Sequence, residues 1–268
     1  DAPLGIQHRS GCRFIFRNTN GSSHPPYTAI RPTSYPYVSC AKYRVYKYNG
    51  TTFILLDNAN APTPGANWGW DVESYDARLA SDGHTLHIAA SSHPATGDPT
   101  YDWKIYYMKF DLATDSWLSS ELVATITQRE TSLTSDAECS ISLDSNDIPF
   151  IAYVHRPAGD YNYIKVIHRS GGVWSSPETA LTAPLTSPDP PAGEGYTAGT
   201  LRLQSIQHDA VDTLHIVAAS HASGTGYAGV TYVYLDRTRY NSRNATGVYS
   251  GDVCIEQETG VWDMDDDF

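Results

Sequence analysis

An internal repeat constrains this chain more than any other feature of its sequence. Leu86-His-Ile-Ala-Ala-Ser-Ser-His93, Pro149-Phe-Ile-Ala-Tyr-Val-His155 and Leu214-His-Ile-Val-Ala-Ala-Ser-His221 read alike, and their central isoleucines, Ile88, Ile151 and Ile216, lie 63 and 65 residues apart. Each segment is short, β-prone and largely apolar, as a strand covered on both faces requires. The flanks repeat too. Strand-like runs at 77–80, 139–143 and 201–206 each lead into a polar turn (Ser-Asp-Gly, Asp-Ser-Asn-Asp, Gln-His-Asp). A loop with Gly and Tyr follows each repeated segment, then a third strand-like run at 104–110, 163–168 and 230–235. The first two units close with a Trp-led fourth strand, from Trp117 and Trp174.

An earlier unit carries the second half of the pattern: 43–48, an Asn49-Gly50 turn and 52–56, with 13–17 as its second strand. Asn-Gly between two β-rich runs is a strong hairpin signal. The last unit is less regular, with a polar stretch at 237–250 between its third and fourth strands. The units therefore fall at about 10–58 (partial), 70–126, 134–182 and 196–260, each a four-stranded meander. One such sheet cannot bury both faces alone, whereas radial stacking buries them and leaves short, protected edges. The expectation is an all-β fold: one β-propeller domain over 1–268, made of four-stranded antiparallel blades. A β-sandwich competes, but does not account for repetition of whole four-stranded units. Trp262-Asp-Met-Asp-Asp-Asp-Phe268 echoes Trp70-Asp-Val-Glu-Ser-Tyr-Asp76, the lead-in to the first full unit. Residues 261–268 thus either close the first blade by pairing with 13–17 or lead into a fifth blade of a longer propeller.

Composition narrows the partners. Nineteen tyrosines and six tryptophans favour strands, and the chain is 40% hydrophobic without any apolar run of membrane-spanning length. No membrane insertion is expected. A formal charge of −12 argues against recognising nucleic-acid phosphate or anionic lipid through a global field. The first residues, Asp-Ala-Pro-Leu-Gly, have neither the basic start nor the apolar stretch of a signal peptide, and fit a processed terminus. Cys12, Cys40, Cys139 and Cys254 include no CxxC pair, so tetrahedral zinc spacing is absent. Three disulfide connectivities are open in an extracellular setting, while buried thiols in strands account equally for Cys139 and Cys254. Sequons begin at Asn20, Asn49 and Asn244, a frequency near chance.

Asp144-Ser-Asn-Asp-Ile-Pro-Phe-Ile-Ala-Tyr, then Gly159-Asp-Tyr with Tyr163-Ile-Lys-Val, then Gly172-Val-Trp174-Ser-Ser-Pro-Glu resemble a sialidase-like propeller repeat of secreted microbial proteins. The resemblance covers most of 70–260. The turns before Trp117 (Asp111-Leu-Ala-Thr-Asp-Ser) and Trp174 (Arg169-Ser-Gly-Gly-Val) look like eroded Asp-boxes, without the full Ser-x-Asp-x-Gly-x-x-Trp pattern. The resemblance implies a sialidase-superfamily type of propeller, and the expected location is outside the cell, on its surface or on a virion. It does not imply sialidase activity.

In a four-stranded blade, the loops between second and third strands emerge on the same side as the connections between blades. Here those loops are the longer, aromatic ones, with Trp68, Trp70, Tyr101, Trp103, Tyr161, Tyr196 and Tyr227. Such rings suit sugar faces or a protein surface. His93, His155 and His221 recur near the ends of second strands, where a repeated packing role competes with a ligand-binding one. The expected partner is a glycan or a surface protein, with self-assembly as a further option. Asp71, Glu73, Asp136, Glu138, Asp263 and Asp265 are the carboxylates a glycoside hydrolase or lyase would draw on. Arg78 and Arg202 fall on two first strands, but Ser140 and Ser142 occupy the intervening unit, so no arginine triad is evident. No GxSxG, HExxH or P-loop pattern occurs. The balance leans away from an enzyme and towards a recognition or structural module. No cofactor is expected. The acidic run Asp263-Met-Asp-Asp-Asp267 leaves calcium as the one alternative, though it lacks the glycine and distal glutamate of an EF-hand loop.

Overall fold

Alternating apolar and polar residues, broken by Asp, Asn and Gly turns, build strands throughout. The computed structural model describes residues 12–15, 27–30, 44–48, 51–57, 59–60, 62, 72–92, 103–126, 138–155, 163–182, 195–196, 200–225 and 231–263. The chain divides into two compact units, Asp1–Thr125 and Ile126–Phe268.

The first unit contains two four-stranded sheets. Sheet 1 runs β1 (Cys12–Ile15), β2 (Tyr27–Ile30), β3 (Arg44–Tyr48), β4 (Phe53–Leu56). Sheet 2 runs β5 (Val72–Leu79), β6 (Thr85–Ser92), β7 (Trp103–Asp111), β8 (Ser116–Ile126). In the second unit, sheet 3 holds β9 (Cys139–Leu143), β10 (Pro149–His155), β11 (Tyr163–Ser170), β12 (Val173–Trp174) and β13 (Glu178–Thr182). Sheet 4 holds β14 (Gly195–Tyr196), β15 (Thr200–His208), β16 (Leu214–Thr225), β17 (Thr231–Arg243) and β18 (Val253–Asp263). The fold is all-β, and the registered pairings are antiparallel between strands adjacent in sequence, apart from β13 returning to β11 and β14 to β16.

The three repeated segments become β6, β10 and β16, each flanked on both sides within its sheet. Residues 149–154 of β10 are all buried, as a strand with neighbours on both edges and cover on both faces should be.

Several expectations need correction. Residues 13–15 lie in the first strand of sheet 1, not its second, because β2 supplies the missing strand and pairs Tyr27–Ile30 with β1. Sheet 1 is therefore complete. The polar stretch at 237–250 does not interrupt sheet 4, because β17 continues to Arg243 and only then turns. Residues 261–263 are the end of β18, paired with 231–233 of β17, and 264–268 lie outside the described residues. Cys139 is buried, but Cys254 is exposed on β18.

Side-chain alternation sets the cores. In the first unit, Leu86, Ile88 and Ala90 share one face of β6, with Met108 and Phe110 opposite on β7. They cluster with Ala77 and Leu112 and with Val45 and Leu56 of sheet 1. In the second unit, Phe150, Ala152, Val154, Ile164, Val166 and Ala180 of sheet 3 pack against Leu201, Leu203, Leu214, Ile216 and Ala218 of sheet 4. Burying such side chains contributes about 1.5–3 kcal/mol each.

Polar rungs flank this second core. Ser140 and Ser142 of β9 accept hydrogen bonds through Oγ from the backbone N–H of Ile206 (3.4 Å) and His208 (2.9 Å) on β15. Further out, alternate residues at the C-terminal end of β17 reach β13. Arg239 donates to the Thr182 carbonyl (2.8 Å), Asn241 to the Ala180 carbonyl (2.6 Å), and Arg243 to the Glu178 carboxylate. Arg239 also pairs with Asp252, which lets a guanidinium that is only 1% exposed remain charged.

Candidate functional site

The two ends of the sheets differ in chemistry. At the turn end, Asp144, Asp209 and Asn244 head successive turns by one construction. Each side chain accepts backbone N–H bonds from the residues two and four positions on: Asn146 and Ile148, Val211 and Thr213, Thr246 and Val248. The fourth residue adopts positive φ (Asp147 59°, Asp212 59°, Gly247 90°) and returns its N–H to the carbonyl of the first. Asp and Gly tolerate that left-handed conformation better than branched residues.

In the first unit, Asp82 accepts from the N–H of His84 and Thr85 and from the Thr85 hydroxyl. Burial works against its charge, but these bonds prevail and hold its pKa at about 2. Asp111 is lowered by Thr114 and the Ala113 N–H, and Asp209 by the N–H groups of Thr213 and Val211. These carboxylates stay ionised at neutral pH and are engaged with the fold, so none is poised as a general acid. Ser145 adds a link between turns, donating its N–H and Oγ–H to Asp212 at 2.7 Å each.

A second group lies at the seam of sheets 3 and 4. Arg243 grips Glu178 at two points (Nε to Oε2 2.7 Å, Nη2 to Oε1 3.0 Å), and the Tyr249 hydroxyl donates to Oε2 at 3.0 Å. Burial would raise the Glu178 pKa, yet Arg243 and Tyr249 hold it below its usual value. Burial and Glu178 together push the Tyr249 phenol upward. Phe150 stacks on His168 at 4.9 Å, meets His208 edge-on at 4.6 Å, and carries the Arg243 guanidinium over its ring at 5.4 Å. A carboxylate kept charged beside a phenol kept neutral makes a clamp between sheets, not an acid–nucleophile pair.

Sequence reading passed over a third group. The His87 ring sits 2.7 Å from the Tyr107 hydroxyl, and the His215 ring 2.7 Å from that of Tyr240. Both histidines follow the leucine that opens the repeat, and both tyrosines lie on the next strand. Comparing the repeats position by position, with Phe150 at the third equivalent place, is the signal that would have found them. The copies differ in one respect. The sheet 2 pair is buried, whereas His215 is 39% exposed and its Nε2 lies 3.2 Å from Asp209. A carboxylate only accepts, so Nε2–H donates to Asp209, while Nδ1 lies against the Tyr240 hydroxyl. The result is a Tyr–His–Asp relay at the surface of sheet 4.

At the opposite end of sheet 3, His155 closes β10 opposite Tyr163, their ring centres 6.4 Å apart. The Lys165 ammonium lies 5.1 Å over the Tyr163 ring and donates to the Thr179 hydroxyl. Burial first, and Lys165 second, lower the His155 pKa, so the imidazole is neutral at pH 7. A half-buried ring, a neutral imidazole, an ammonium and a hydroxyl thus share one patch of the second unit.

Of the residues singled out from sequence whose side chains are described, His155 falls within such a patch and Trp103 does not. Trp103 is not on a loop: it opens β7 and is buried at 4% exposure, so its ring is not offered to a ligand. Tyr196 belongs to β14 and His221 to β16 by backbone alone. Trp68, Trp70, His93, Tyr101, Tyr161 and Tyr227 lie outside the described residues, as do Asp71, Asp136 and Asp265. Glu73 lies within β5, and Glu138 precedes β9, its carbonyl accepting from Val154 N–H. Arg78 donates to Asp76 within β5, and Arg202 is exposed on β15. Among the described residues, no three His, Cys, Asp or Glu groups are arranged to hold a metal ion.

No protein-family model matches this chain, and no curated protein matches its sequence. Among solved structures, a fucose lectin from Kordia zhangzhouensis in complex with methyl-fucoside is similar over 70% of this chain and 99% of the lectin. The identity is 12% and the TM-score 0.30, too distant for the likeness to carry an argument.

Proposed function

We propose that the four sheets are blades of a β-propeller related to the sialidase-like, Asp-box type. The chain is then an extracellular or surface-displayed recognition module without catalytic activity. Its ligand, a glycan or a surface protein, is taken at the loop end. The propeller reading is supported by the seam of the second unit, where β9 and β15, the first long strands of successive sheets, lie side by side through Ser140 and Ser142. Radially stacked blades make that contact at their hub. The observation that carries the functional reading is the asymmetry of the two ends. Carboxylates at the turn end are engaged with backbone, while His155, Tyr163, Lys165 and Thr179 group at the other. The loop aromatics Trp68, Trp70, Tyr101, Tyr161, Tyr196 and Tyr227 and the histidines His93 and His221 extend this proposed surface. Trp103 is withdrawn from it.

A glycan array run beside polysaccharide-cleavage assays tests this reading. Glycan binding without product is expected, with Tyr163→Ala weakening it by roughly tenfold or more, the scale of one lost ring contact. Loss of all glycan and surface-protein binding, or product formation, would overturn it.

One observation favours a second reading. The Asp209–His215–Tyr240 relay could draw a proton from the phenol, as a lyase or hydrolase base requires. Product abolished by Tyr240→Phe would establish that alternative.

A further inference from the structure

Sheet edges expose unpaired backbone N–H and C=O groups, and natural sheets blunt them with short strands, charges, proline or bulges. Three of the four sheets here do so. The edge strand of sheet 1, β4, has four residues. Sheet 3 ends in β12 and β13, split by Ser175-Ser-Pro177, with a register shift on β11. In sheet 4, β18 carries Glu256, Glu258 and Gly260, and its pairing with β17 is shifted at Thr238/Arg239.

Sheet 2 is the exception. Its edge strand β8, Ser-Trp-Leu-Ser-Ser-Glu-Leu-Val-Ala-Thr-Ile, runs eleven residues with Glu121 as its single charge and no Lys, Arg, Pro or Gly. Among the described residues no strand pairs with its outer side, though Asp57 Oδ2 takes the Trp117 N–H at 3.1 Å. Leu118 and Leu122 stand 55% and 50% exposed on one face, with Ser120 between them.

We infer that β8 is a self-association edge, and that a second copy of this chain pairs with it antiparallel about a two-fold axis through Ser120. The occupant follows from the register. Centred on Ser120, each Leu118 meets Leu122 of the other copy and each Trp117 meets Val123. Glu121 falls opposite the Ser119 hydroxyl, so no carboxylates oppose. Shifting the centre half a residue earlier sets Leu118 against Glu121; shifting it one residue later sets Glu121 against itself, which is destabilising. A two-fold interface must be self-complementary, and centred on Ser120 this strand pairs leucine with leucine and opposes no carboxylates. The proposal is independent of the glycan reading.

Sedimentation of the full chain should give twice the 29.4 kDa of one chain at roughly tens of micromolar, the range of a modest interface. Ser120→Pro, and separately Leu118→Lys with Leu122→Lys, should return the mass of one chain with the circular dichroism unchanged. The lysine pair keeps the test decisive if the proline variant unfolds. In a Cys254→Ser background, oxidised Ser120→Cys should give a disulfide-linked dimer, since directly opposed residues lie within disulfide reach. Thr125→Cys, far from its own counterpart in this register, should not. A monomer at every concentration, a dimer that survives the lysine pair, or cross-linking at 125 but not 120 overturns the inference.

Discussion

Arg243 and Glu178, 65 residues apart in sequence, meet at two points across the seam between sheets 3 and 4. The arginine is also stacked over Phe150, so its charge is enclosed by the carboxylate on one side and a ring on the other. Glu178→Ala would leave that cation largely buried and unpaired, and also remove the acceptor of Tyr249. The cost should be about 2–3 kcal/mol, somewhat under that of a fully buried pair because Glu178 retains some exposure. Urea unfolding would read it as a lower midpoint with unchanged slope. Replacing both partners with methionine should recover part of the loss, and a Glu178→Ala midpoint equal to wild type would remove the clamp from the account of stability.

Acidification should weaken the fold in two stages. His168 and His208, on either side of Phe150, both have pKa values lowered chiefly by burial. The unfolded chain takes up these protons first, so stability is full above pH ~6.5 and begins to fall below it. Asp82 and Glu178 are lowered in the folded state, so their contribution persists above the usual carboxylate range and is lost as pH falls through their folded values, about 2 for Asp82. Melting temperature against pH should show both steps. His208→Phe should flatten the upper step and leave the lower one.

Gly247→Ala should destabilise by about 1–2 kcal/mol. The residue sits at φ +90°, and an added Cβ would stand 3.1 Å from the Arg243 guanidinium. Strain in the turn and displacement of the clamp would therefore come together. Gly171→Ala, also at positive φ but with open space around it, should lower the melting temperature less.

The two His–Tyr pairs provide an internal comparison. Tyr107→Phe removes a hydroxyl from a buried contact and should cost about 1–2 kcal/mol. Tyr240→Phe, whose pair reaches the surface, should cost less than half of that. Equal losses in thermal unfolding would contradict the assignment of the sheet 2 pair to the core.

Much of the fold was legible because its signals are local. The ends of β9 match the sequence reading at Cys139 and Leu143, since Asp144-Ser-Asn-Asp147 closes its own turn through the Asp144 side chain. Strand β17 was misread for the opposite reason. Arg239, Asn241 and Arg243 look like a polar loop until β13 supplies a carbonyl, a carbonyl and a carboxylate at matching intervals. Burial of a charged or amide side chain depends on a partner some sixty residues away, which no local pattern reveals. Trp103 was assigned to a loop by its neighbours Tyr101 and Asp102, although it begins a strand. In the candidate patch, His155 was found through its recurrence in the repeat, but Tyr163, Lys165 and Thr179 were not, because only cross-strand register brings them to it.

The self-closing turns have a consequence for how this chain acquires its structure. Asp144, Asp209 and Asn244 each fasten a hairpin with hydrogen bonds spanning no more than four residues. Neighbouring strands in sequence are mostly neighbours in space, so each meander can form by short loop closures on the microsecond scale of hairpins. The rungs between sheets 3 and 4 join residues 57 to 71 positions apart and must wait for both meanders. Refolding should therefore begin sheet by sheet and be limited by docking, with the serine rungs and the Arg243–Glu178 clamp among the last contacts made.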